Sequence, residues 1–359
     1  MSSPAGPRFI LLLLLLPAPL HAQFVRGQVF GTGHRPLQGA LVEVHDSADR
    51  PVQSVLTSPS GAWQVIVPAP GHYRYRVAAI GYQPQPYTMI NVPMEGVIAT
   101  DVVLVATAIR LPDLIALERN RYCGKKSLSD DLFGRVLESA HTALQIIEKT
   151  IETHQLMFEV AVINSRTLYG SVLNYVVADT VVQPLASWPV ASINPDTLRA
   201  VGFSRTLVSG DEGTREYYGP DARVLFADWF LDSHCYTLDK PKKKGNNDTL
   251  TVRFAPAHKS RRTDVAGQLL LDAHDLSLLQ FSFTLTNLPG WMPEDASGGN
   301  MQFSRLASGL WMTRNWAIWA PIAAVSRSRH LGVGGVQESY GWVVKVTPSD
   351  SVGSAPPAL

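Results

Sequence analysis

Short segments with β-type alternation, separated by turn residues, fill residues 24–107 and constrain the fold more than any other feature of the chain. β-branched and aromatic residues alternate within them, and a Gly or Pro recurs about every eight to twelve residues. The predicted strands are residue 25 and residues 28–30, 40–44, 53–56, 63–67, 73–77 and 101–104. Because no helical period interrupts them, the sequence predicts a seven-stranded β-sandwich.

The residues before this region have the features of a secretory signal peptide. Arg8 precedes an unbroken apolar stretch at residues 9–16, and small and polar residues follow up to Ala22. The stretch is shorter than the roughly 20 apolar residues of a membrane-spanning helix. We therefore expect residues 1–22 to be a signal peptide that is cleaved after Ala22. The alternative is a retained N-terminal anchor.

Composition narrows the class of protein. The chain has 359 residues and a net charge of +1, with 45% hydrophobic and 17% charged residues. The composition is typical of a globular protein. The near-zero net charge produces no long-range electrostatic field that would attract nucleic acid. The two cysteines, Cys123 and Cys235, allow one disulfide in an exported protein. Two buried thiols are the alternative, and the absence of a Cys-x-x-Cys pair leaves redox catalysis without support.

Several short motifs of the first region keep a characteristic order and spacing. They are Gly27-Gln28-Val29, residues 35–44, Thr57 with residues 60–63, residues 70–73 and Gly81-Tyr82. In these motifs residues 23–107 resemble the carboxypeptidase regulatory-like domain. The resemblance implies a transthyretin-like β-sandwich, also called a carbohydrate-binding-like fold, of the kind appended to exported bacterial proteins. One departure is Ser58-Pro59, where the family usually has an acidic residue after the Thr.

The resemblance implies no peptidase activity, because the family is an accessory domain. A zinc carboxypeptidase needs a His-x-x-Glu pair and a distant His as ligands, and none of the ten histidines has Glu three residues downstream. Nucleophile, phosphate-binding and dinucleotide-binding motifs are also missing in usable form. We therefore predict no catalytic residue, no metal and no cofactor, the alternative being a catalytic triad assembled from distant loops.

A linker is predicted at residues 108–122, and a β-rich domain over residues 123–347. Apolar residues recur at helical spacing from Leu132 to Ile151, which predicts one main helix near residues 130–152. The strands predicted after it are residues 156–162, 171–182, 223–230, 249–254, 267–271, 278–285, 301–303, 310–319 and 337–346. Residues 348–359 are rich in Pro, Ser and Ala and are predicted to be a disordered tail. The predicted fold class is mainly β, with a C-terminal α+β domain after the sandwich.

The predicted hairpin at residues 267–285, followed by a strand that begins near Gly309 and Trp311, is similar to the half-barrel of periplasmic lipoprotein carriers. That resemblance implies an antiparallel sheet curved over helices, which could enclose an apolar ligand. The candidate ligand-lining residues are Trp229, Trp311, Trp316, Trp319, Phe281 and Phe283. The alternative is that these side chains fill the core. Trp291, in a loop, and Tyr82 are candidate surface-recognition residues.

These features predict a non-enzymatic, exported protein of the cell envelope, in the periplasm or at the outer-membrane periphery of a Gram-negative-type bacterium. Its partner would be a lipid, a glycan or a protein, with no nucleic acid and at most peripheral contact with a membrane. One alternative is carbohydrate binding through the sandwich, by exposed aromatic residues such as Tyr73, Tyr75 and Tyr82. A second alternative is a hydrolase whose site in the C-terminal domain leaves no sequence motif.

Overall fold

The computed structural model describes residues 23–94, 97–107, 121–124, 132–153, 155–169, 174–209, 212–239, 242–244, 247–325 and 331–348. The predicted signal peptide, residues 108–120 of the predicted linker and residues 349–359 of the predicted tail lie outside these ranges. Strands predominate in the described ranges, as the sequence predicts.

Eight strands form the N-terminal sandwich in the described residues. They are β1 (Gln23–Phe30), β2 (Leu41–Asp46), β3 (Pro51–Leu56), β4 (Ala62–Val67), β5 (Gly71–Ala78), β6 (Thr88–Val92), β7 (Val97–Ala99) and β8 (Val102–Val103). One sheet has the order β4-β1-β7, with β8 also paired to β1, and the other has the order β3-β2-β5-β6. The predicted sandwich is confirmed. β1 unites two predicted strands, and β6 and β7 have no predicted counterpart because they are short edge strands.

The core of the sandwich follows the two-residue period of its strands. Val42, Val44, Val65 and Val67 alternate along β2 and β4 and are fully or almost fully buried. The motif residue Thr57 is buried as well. Its hydroxyl accepts a hydrogen bond from Ala40 N at 2.9 Å and donates to Leu37 O, so it ties two loops together.

Thirteen strands follow in the described part of the C-terminal region. They are β9 (Arg121–Cys123), β10 (Leu156–Leu168), β11 (Tyr175–Pro184), β12 (Ser204–Ser209), β13 (Glu212–Tyr217), β14 (His234–Leu238), β15 (Lys242–Lys244), β16 (Asn247–Pro256), β17 (Asp264–Asp272), β18 (Leu278–Thr286), β19 (Gly298–Arg305), β20 (Trp311–Val325) and β21 (Leu331–Pro348). The large curved sheet has the order β11-β10-β21-β20-β19-β18-β17-β16-β14-β9, with β15 paired to β16. β12 and β13 form a separate hairpin.

Four helices accompany these strands where the structure is described. They are α1 (Leu132–Glu152), α2 (Pro195–Val201), α3 (Ala222–Leu225) and α4 (Asp228–Ser233). α1 is the predicted main helix, and its apolar stripe is core, with Phe133, Val136, Leu144 and Ile147 fully buried. None of these helices is both long enough and apolar enough to cross a membrane.

The strand predicted at residues 223–230 is wrong, because α3 and α4 occupy this segment. Asp221 caps α3 by accepting a hydrogen bond from Val224 N at 2.9 Å, which favours a helical start. α4 then places Phe230 in the core. The apolar residues of the segment at 223–230 are compatible with either a strand or a short helix. Only the cap at Asp221 and the packing of Phe230 distinguish the helix from the strand.

The sandwich packs on the opposite side of α1 from the curved sheet. Leu41 and Leu56 of the sandwich form a buried cluster with Ile146 of α1. Beside it, Arg76 Nη1 lies 2.8 Å from Glu138 Oε1, and Gln145 Nε2 donates to a Glu43 carboxylate oxygen at 3.3 Å. α1 therefore packs against both β layers.

A disulfide joins Cys123 and Cys235, the pairing that the cysteine content allows. The two residues lie directly opposite each other on β9 and β14, at the edge of the large sheet. They are 112 residues apart in the chain. A crosslink over so long a loop restricts the unfolded chain and typically stabilises a protein by about 2–4 kcal/mol.

Candidate functional site

A row of polar side chains crosses the face of the curved sheet that points away from α1. Thr237, Arg253, Gln268, Ser282 and Asn300 lie on five adjacent strands and are direct cross-strand partners. The residues that alternate with them along the strands are buried, except for the partly exposed Gly267. Because successive side chains of a strand point to opposite faces, the row lies on the outer face.

Trp319 of β20 stands beside this row. It pairs with Gly298, where an added Cβ would lie only 2.8 Å from the indole, so the ring covers a position that only glycine leaves open. Trp319 Nε1 donates a hydrogen bond to Asp295 O at 2.9 Å. The ring is therefore fixed at its polar end while part of its surface stays accessible.

The polar row and Trp319 border a cavity of about 600 Å³, which we call the outer-face groove. It is lined by Thr237, Arg253, Ala255, Ala266, Gln268, Ser282, Thr284 and Trp319, with Cys235, Phe254, Gly267 and Phe283 at its floor. Hydroxyl, amide and guanidinium groups thus surround one aromatic wall. This combination offers an apolar platform and several hydrogen-bonding groups to one small ligand, within the usual range of pocket volumes.

The structure separates the six aromatic residues that were predicted to line a ligand site. Four of them, Phe281, Phe283, Trp311 and Trp316, are buried in the core cluster that includes α1, although Phe283 also reaches the floor of the groove. Trp319 lies on the outer face, and Trp229 lines a different pocket near α4. Only Phe283 and Trp319 therefore meet at the groove.

The predicted surface-recognition residues lie elsewhere. Trp291 is partly exposed in the segment between β18 and β19. Tyr82 is half-buried over Gly31, where an added Cβ would lie 2.6 Å from the tyrosine hydroxyl. Their recognition role stays a prediction.

Tyr73 and Tyr75 do not form the exposed aromatic row that carbohydrate binding by the sandwich would need. Both are buried, and their hydroxyls lie 2.7 Å from Ala69 O and Thr100 Oγ1. The alternation of their strand points them inward, toward the valine core.

Sequence reasoning missed the polar residues of the groove. Gln268, Ser282 and Thr284 belong to no motif, and their only signal is the alternation with buried neighbours on two predicted strands. That alternation shows which residues face outward. It cannot show that the strands curve and place Trp319 beside them.

Ser233, His234 and Asp264 form the arrangement closest to a catalytic triad in the described structure. Ser233 Oγ lies 3.0 Å from His234 Nδ1, and Asp264 Oδ1 lies 3.3 Å from His234 Nε2. However, each ring nitrogen also lies 3.1 Å from a main-chain carbonyl oxygen, of Phe230 or Val265. Both ring nitrogens therefore face main-chain acceptors, the ring is fully buried, and Ser233 Oγ itself lies 3.2 Å from Phe230 O, which can accept the hydroxyl proton in place of the imidazole.

Two titratable groups on α1 lie away from the groove. Burial raises the pKa of Glu148 to about 8, and a Glu148 carboxylate oxygen accepts a hydrogen bond from Ala222 N at 2.8 Å. Burial, with a smaller contribution from the charge of Arg76, lowers the pKa of His141 to about 3. The His141 ring stacks on Phe226 with centroids 4.1 Å apart. Both groups are therefore predominantly neutral near pH 7 and serve packing.

The ranges that the structure describes contain no cluster of metal-binding side chains. No group of three or more His, Cys, Asp or Glu side chains lies close enough there to hold an ion.

Residues 25–105 match the family described as the carboxypeptidase regulatory-like domain, which confirms the resemblance that the motifs indicate. A search of curated protein sequences found no match.

Among solved structures, catechol 1,2-dioxygenase from Pseudomonas arvilla C-1 is 16% identical, over 25% of this chain and 54% of that one, with a TM-score of 0.20. The chain thus spans about half the length of that enzyme. The dioxygenase domain of a dioxygenase carbohydrate-binding protein fusion from Streptomyces sp. SirexAA-E is 18% identical, over 30% and 98%, with a TM-score of 0.20. A DUF1329 family protein from Desulfovibrio piger is 10% identical, over 61% and 94%, with a TM-score of 0.23. Such TM-scores carry no argument about this chain.

Proposed function

We propose that this chain is a non-enzymatic, saccharide-binding protein of the bacterial cell envelope, in which the outer-face groove holds the ligand and the sandwich is a rigid accessory module. The observation that carries the proposal is the position of Trp319 beside a row of hydroxyl, amide and guanidinium groups. Sugar rings present apolar C–H faces to aromatic rings and hydroxyl groups to polar side chains. The groove offers both kinds of contact at once.

The distribution of the aromatic residues favours a saccharide over a lipid. A lipid carrier needs an open apolar cavity, whereas Phe281, Trp311 and Trp316 pack into the core on the α1 side of the sheet. The groove on the outer face is edged by Thr237, Gln268 and other polar side chains. An acyl chain there would displace the water that is hydrogen-bonded to these side chains. Because it offers no hydrogen bonds in return, covering the polar groups would cost free energy.

The contacts of His234 support a binding role rather than hydrolysis. Its ring is fully buried and stacked on Phe230 with centroids 3.7 Å apart, and both nitrogens face carbonyl oxygens. A general base must come within hydrogen-bond distance of the proton that it removes, and a fully buried ring held between main-chain carbonyl groups does not reach a ligand at the surface. We expect no labelling of Ser233 by a fluorophosphonate probe, and labelling at this residue would establish the hydrolase alternative.

The experiment that tests the proposal is a glycan array followed by calorimetric titration of the oligosaccharides that bind. We expect Trp319→Ala to weaken binding by about tenfold or more, since it removes the aromatic wall. Gln268→Ala should weaken binding less, by the loss of one or two hydrogen bonds. Thermal unfolding of each variant shows that the fold is retained.

Trp291→Ala is the matched control, because Trp291 is also a partly exposed tryptophan but lies outside the groove. Its affinity should equal that of the unchanged protein. Loss of binding in Trp291→Ala with retention in Trp319→Ala would move the site to the loop between β18 and β19. Absence of binding to any glycan on the array would contradict the proposal.

Export to the envelope is part of the proposal. The apolar stretch at residues 9–16 and the Cys123–Cys235 disulfide support it, since disulfides persist mainly in oxidising compartments. Expression of the full chain in a Gram-negative host, with N-terminal sequencing of the periplasmic product, should give a first residue of Gln23. An uncleaved product in the cytoplasm would contradict this part of the proposal.

A further inference from the structure

A second pocket opens where α2, α4 and the turn between β16 and β17 meet. Its volume is about 520 Å³, and we call it the basic pocket. The side chains that matter for its chemistry are Arg199, Trp229, Asp232, Lys259, Arg262 and Asp264. Lys259 and Arg262 belong to the exposed turn at residues 257–263, where four of five consecutive residues, from His258 to Arg262, are basic.

The three cations of this pocket, Arg199, Lys259 and Arg262, are not paired with any carboxylate of the described residues. Within the described ranges, no Asp or Glu oxygen lies within ion-pair distance of Arg199, Lys259 or Arg262, although Asp232 and Asp264 line the same pocket. Asp264 faces His234 instead, at 3.3 Å. Three like charges around one concave space raise the local potential and attract an anion.

Arg262 is held in a position from which its guanidinium can bind an anion in the pocket. Its Nη1 donates to Arg199 O at 3.2 Å in the last turn of α2, and its backbone N donates to Ser260 Oγ at 3.0 Å. These bonds fix the guanidinium beside Arg199 and leave its other N–H groups available. A planar guanidinium with available N–H groups is suited to a carboxylate or a similar oxyanion.

Trp229 adds an aromatic surface to the pocket. It is partly buried, packs edge-on against Phe230 with centroids 5.6 Å apart, and its Nε1 is shielded from solvent without a hydrogen-bond partner among the described residues. A shielded donor of this kind favours an acceptor oxygen from a ligand. Asp232 and Asp264 are acceptors that sugar hydroxyls can reach.

The basic pocket lies next to the outer-face groove along the same strands. Ala255 and Ala266 line the groove, while His258, three residues after Ala255, and Asp264, two residues before Ala266, line the pocket. At about 3.3 Å per strand residue, the two sites are within about 10 Å of each other. One oligosaccharide can therefore extend from the groove around the end of the sheet into the pocket.

We infer that the basic pocket is a subsite for the anionic group of an acidic saccharide, such as the carboxylate of a uronic acid, and that the ligand of the groove is therefore an acidic glycan. This inference rests on the proposed function of the groove. Arg199, Lys259 and Arg262 bind the anion, Trp229 packs against the sugar ring, and the two aspartates accept hydrogen bonds from hydroxyl groups.

The shape of the pocket favours a glycan over an anionic membrane surface. A bilayer is too flat to enter a concave pocket, and its headgroups would approach Asp232 and Asp264 as well as the cations. Vesicle binding is therefore an outcome that would contradict the inference.

The test is an array of acidic glycans, each beside its methyl-esterified or desulfated counterpart, followed by titration of the tightest pair. We expect the acidic member to bind at least about tenfold more tightly, with an advantage that shrinks as salt concentration rises. The triple variant Arg199→Ala/Lys259→Ala/Arg262→Ala should reduce the advantage to less than about twofold. It should weaken binding of the acidic member far more than binding of the neutral counterpart, whereas Trp319→Ala should weaken both by similar factors.

A charge-matched control is Arg35→Ala/Arg135→Ala/Arg166→Ala, which removes three exposed cations outside both sites. It should retain the full preference for the acidic glycan. Equal binding of acidic and neutral glycans would overturn this inference and leave the proposed function intact, while no glycan binding at all would overturn both. Binding to phosphatidylglycerol vesicles that needs the three pocket cations, without glycan binding, would also overturn it.

Discussion

The sandwich and the C-terminal domain use their charged side chains in opposite ways. On the outer face of the sandwich, Arg74 pairs with Asp49, and Arg76 bridges Glu43 and Glu138 of α1. In the basic pocket, Arg199, Lys259 and Arg262 have no such partners in the described structure. Paired charges hold two parts of one chain together, and unpaired charges in a cavity attract an external ion. This difference supports the proposal that the C-terminal domain binds the ligand, while the charged residues of the sandwich hold it against α1.

Among the changes that test this comparison, removal of the disulfide should have the largest effect on stability. The disulfide lies entirely within the C-terminal domain, so its removal should destabilise that domain. Cys123→Ser/Cys235→Ser should lower the free energy of unfolding of that domain by about 2–4 kcal/mol, since the unfolded chain is no longer crosslinked. Urea unfolding followed by tryptophan fluorescence measures this, because Trp63 is the single tryptophan of the sandwich among the eight of the chain.

Reductant is the control for this variant. It should lower the unfolding midpoint of the unchanged protein by the same amount and leave that of the double variant unchanged. A double variant as stable as the unchanged protein would show that the crosslink does not hold the edge of the large sheet.

The docking role of the sandwich is tested by Arg76→Ala. Glu43 and Arg76 are largely buried, with side-chain exposures of 15% and 14%, so removing the guanidinium leaves Glu43 without its charged partner, although the Gln145 amide still donates to it. We expect a loss of about 1–3 kcal/mol in the free energy of unfolding. Arg50→Ala is the matched control, because Arg50 forms an ion pair with Asp46 but is 78% exposed, and its removal should cost less than about 1 kcal/mol.

A double-mutant cycle sharpens this result. Arg76→Ala and Glu138→Gln should show a coupling energy of roughly 0.5–1 kcal/mol, because Glu138 is 41% exposed and its pair is partly screened. Additive effects would mean that the ion pair does not contribute to docking of the sandwich on α1.

The last effect is a dependence of stability on pH through Glu148 on α1. Its folded pKa of about 8 lies above its ordinary value of 4.5, so the folded state retains a proton that the unfolded state releases. The stabilisation is complete below pH 4.5 and is lost as the pH rises through about 8. The free energy of unfolding should therefore fall by about 1 kcal/mol between about pH 7 and pH 9.

Glu148→Gln should remove most of this slope, because the amide oxygen can still accept from Ala222 N without ionising. The range above pH 7 avoids His141, whose lowered pKa makes its own contribution only as the pH falls from 6.5 toward about 3. Equal slopes in chemical denaturation of the two proteins would assign the pH dependence to other groups.

Local patterns in the sequence predict much of the fold. The valines of the sandwich alternate with outward residues, and the apolar residues of α1 recur at helical spacing, so the sequence shows which side of each element is buried. The segment at residues 223–230 shows where this logic fails. Its helical state depends on the cap at Asp221 and on the packing of Phe230, which a strand-like pattern does not reveal.

The candidate site was far less predictable than the fold. The aromatic residues of the C-terminal domain have equivalent patterns in the sequence, yet Trp316 is core and Trp319 borders the groove, three residues later on the same strand. A bulge in the pairing of β19 with β20 lies between Trp311 and Trp316 and places both in the core although they are five residues apart, while Trp319 faces outward because it is three residues from Trp316. The basic run from His258 to Arg262 was visible in the sequence, but its closeness to Arg199 and Trp229 was not.

The sequence by itself determined the β-sandwich, the main helix and the cysteine pair, because each depends on residue types at short, regular spacing or on a simple count. Only the tertiary structure decided that α1 packs between two β layers, that Trp319 stands beside Gln268 and Ser282, and that three cations line one pocket with no carboxylate of the described ranges paired to them. These relations join residues far apart in the chain. They arise from sheet curvature and packing, which no local pattern of amino acids encodes.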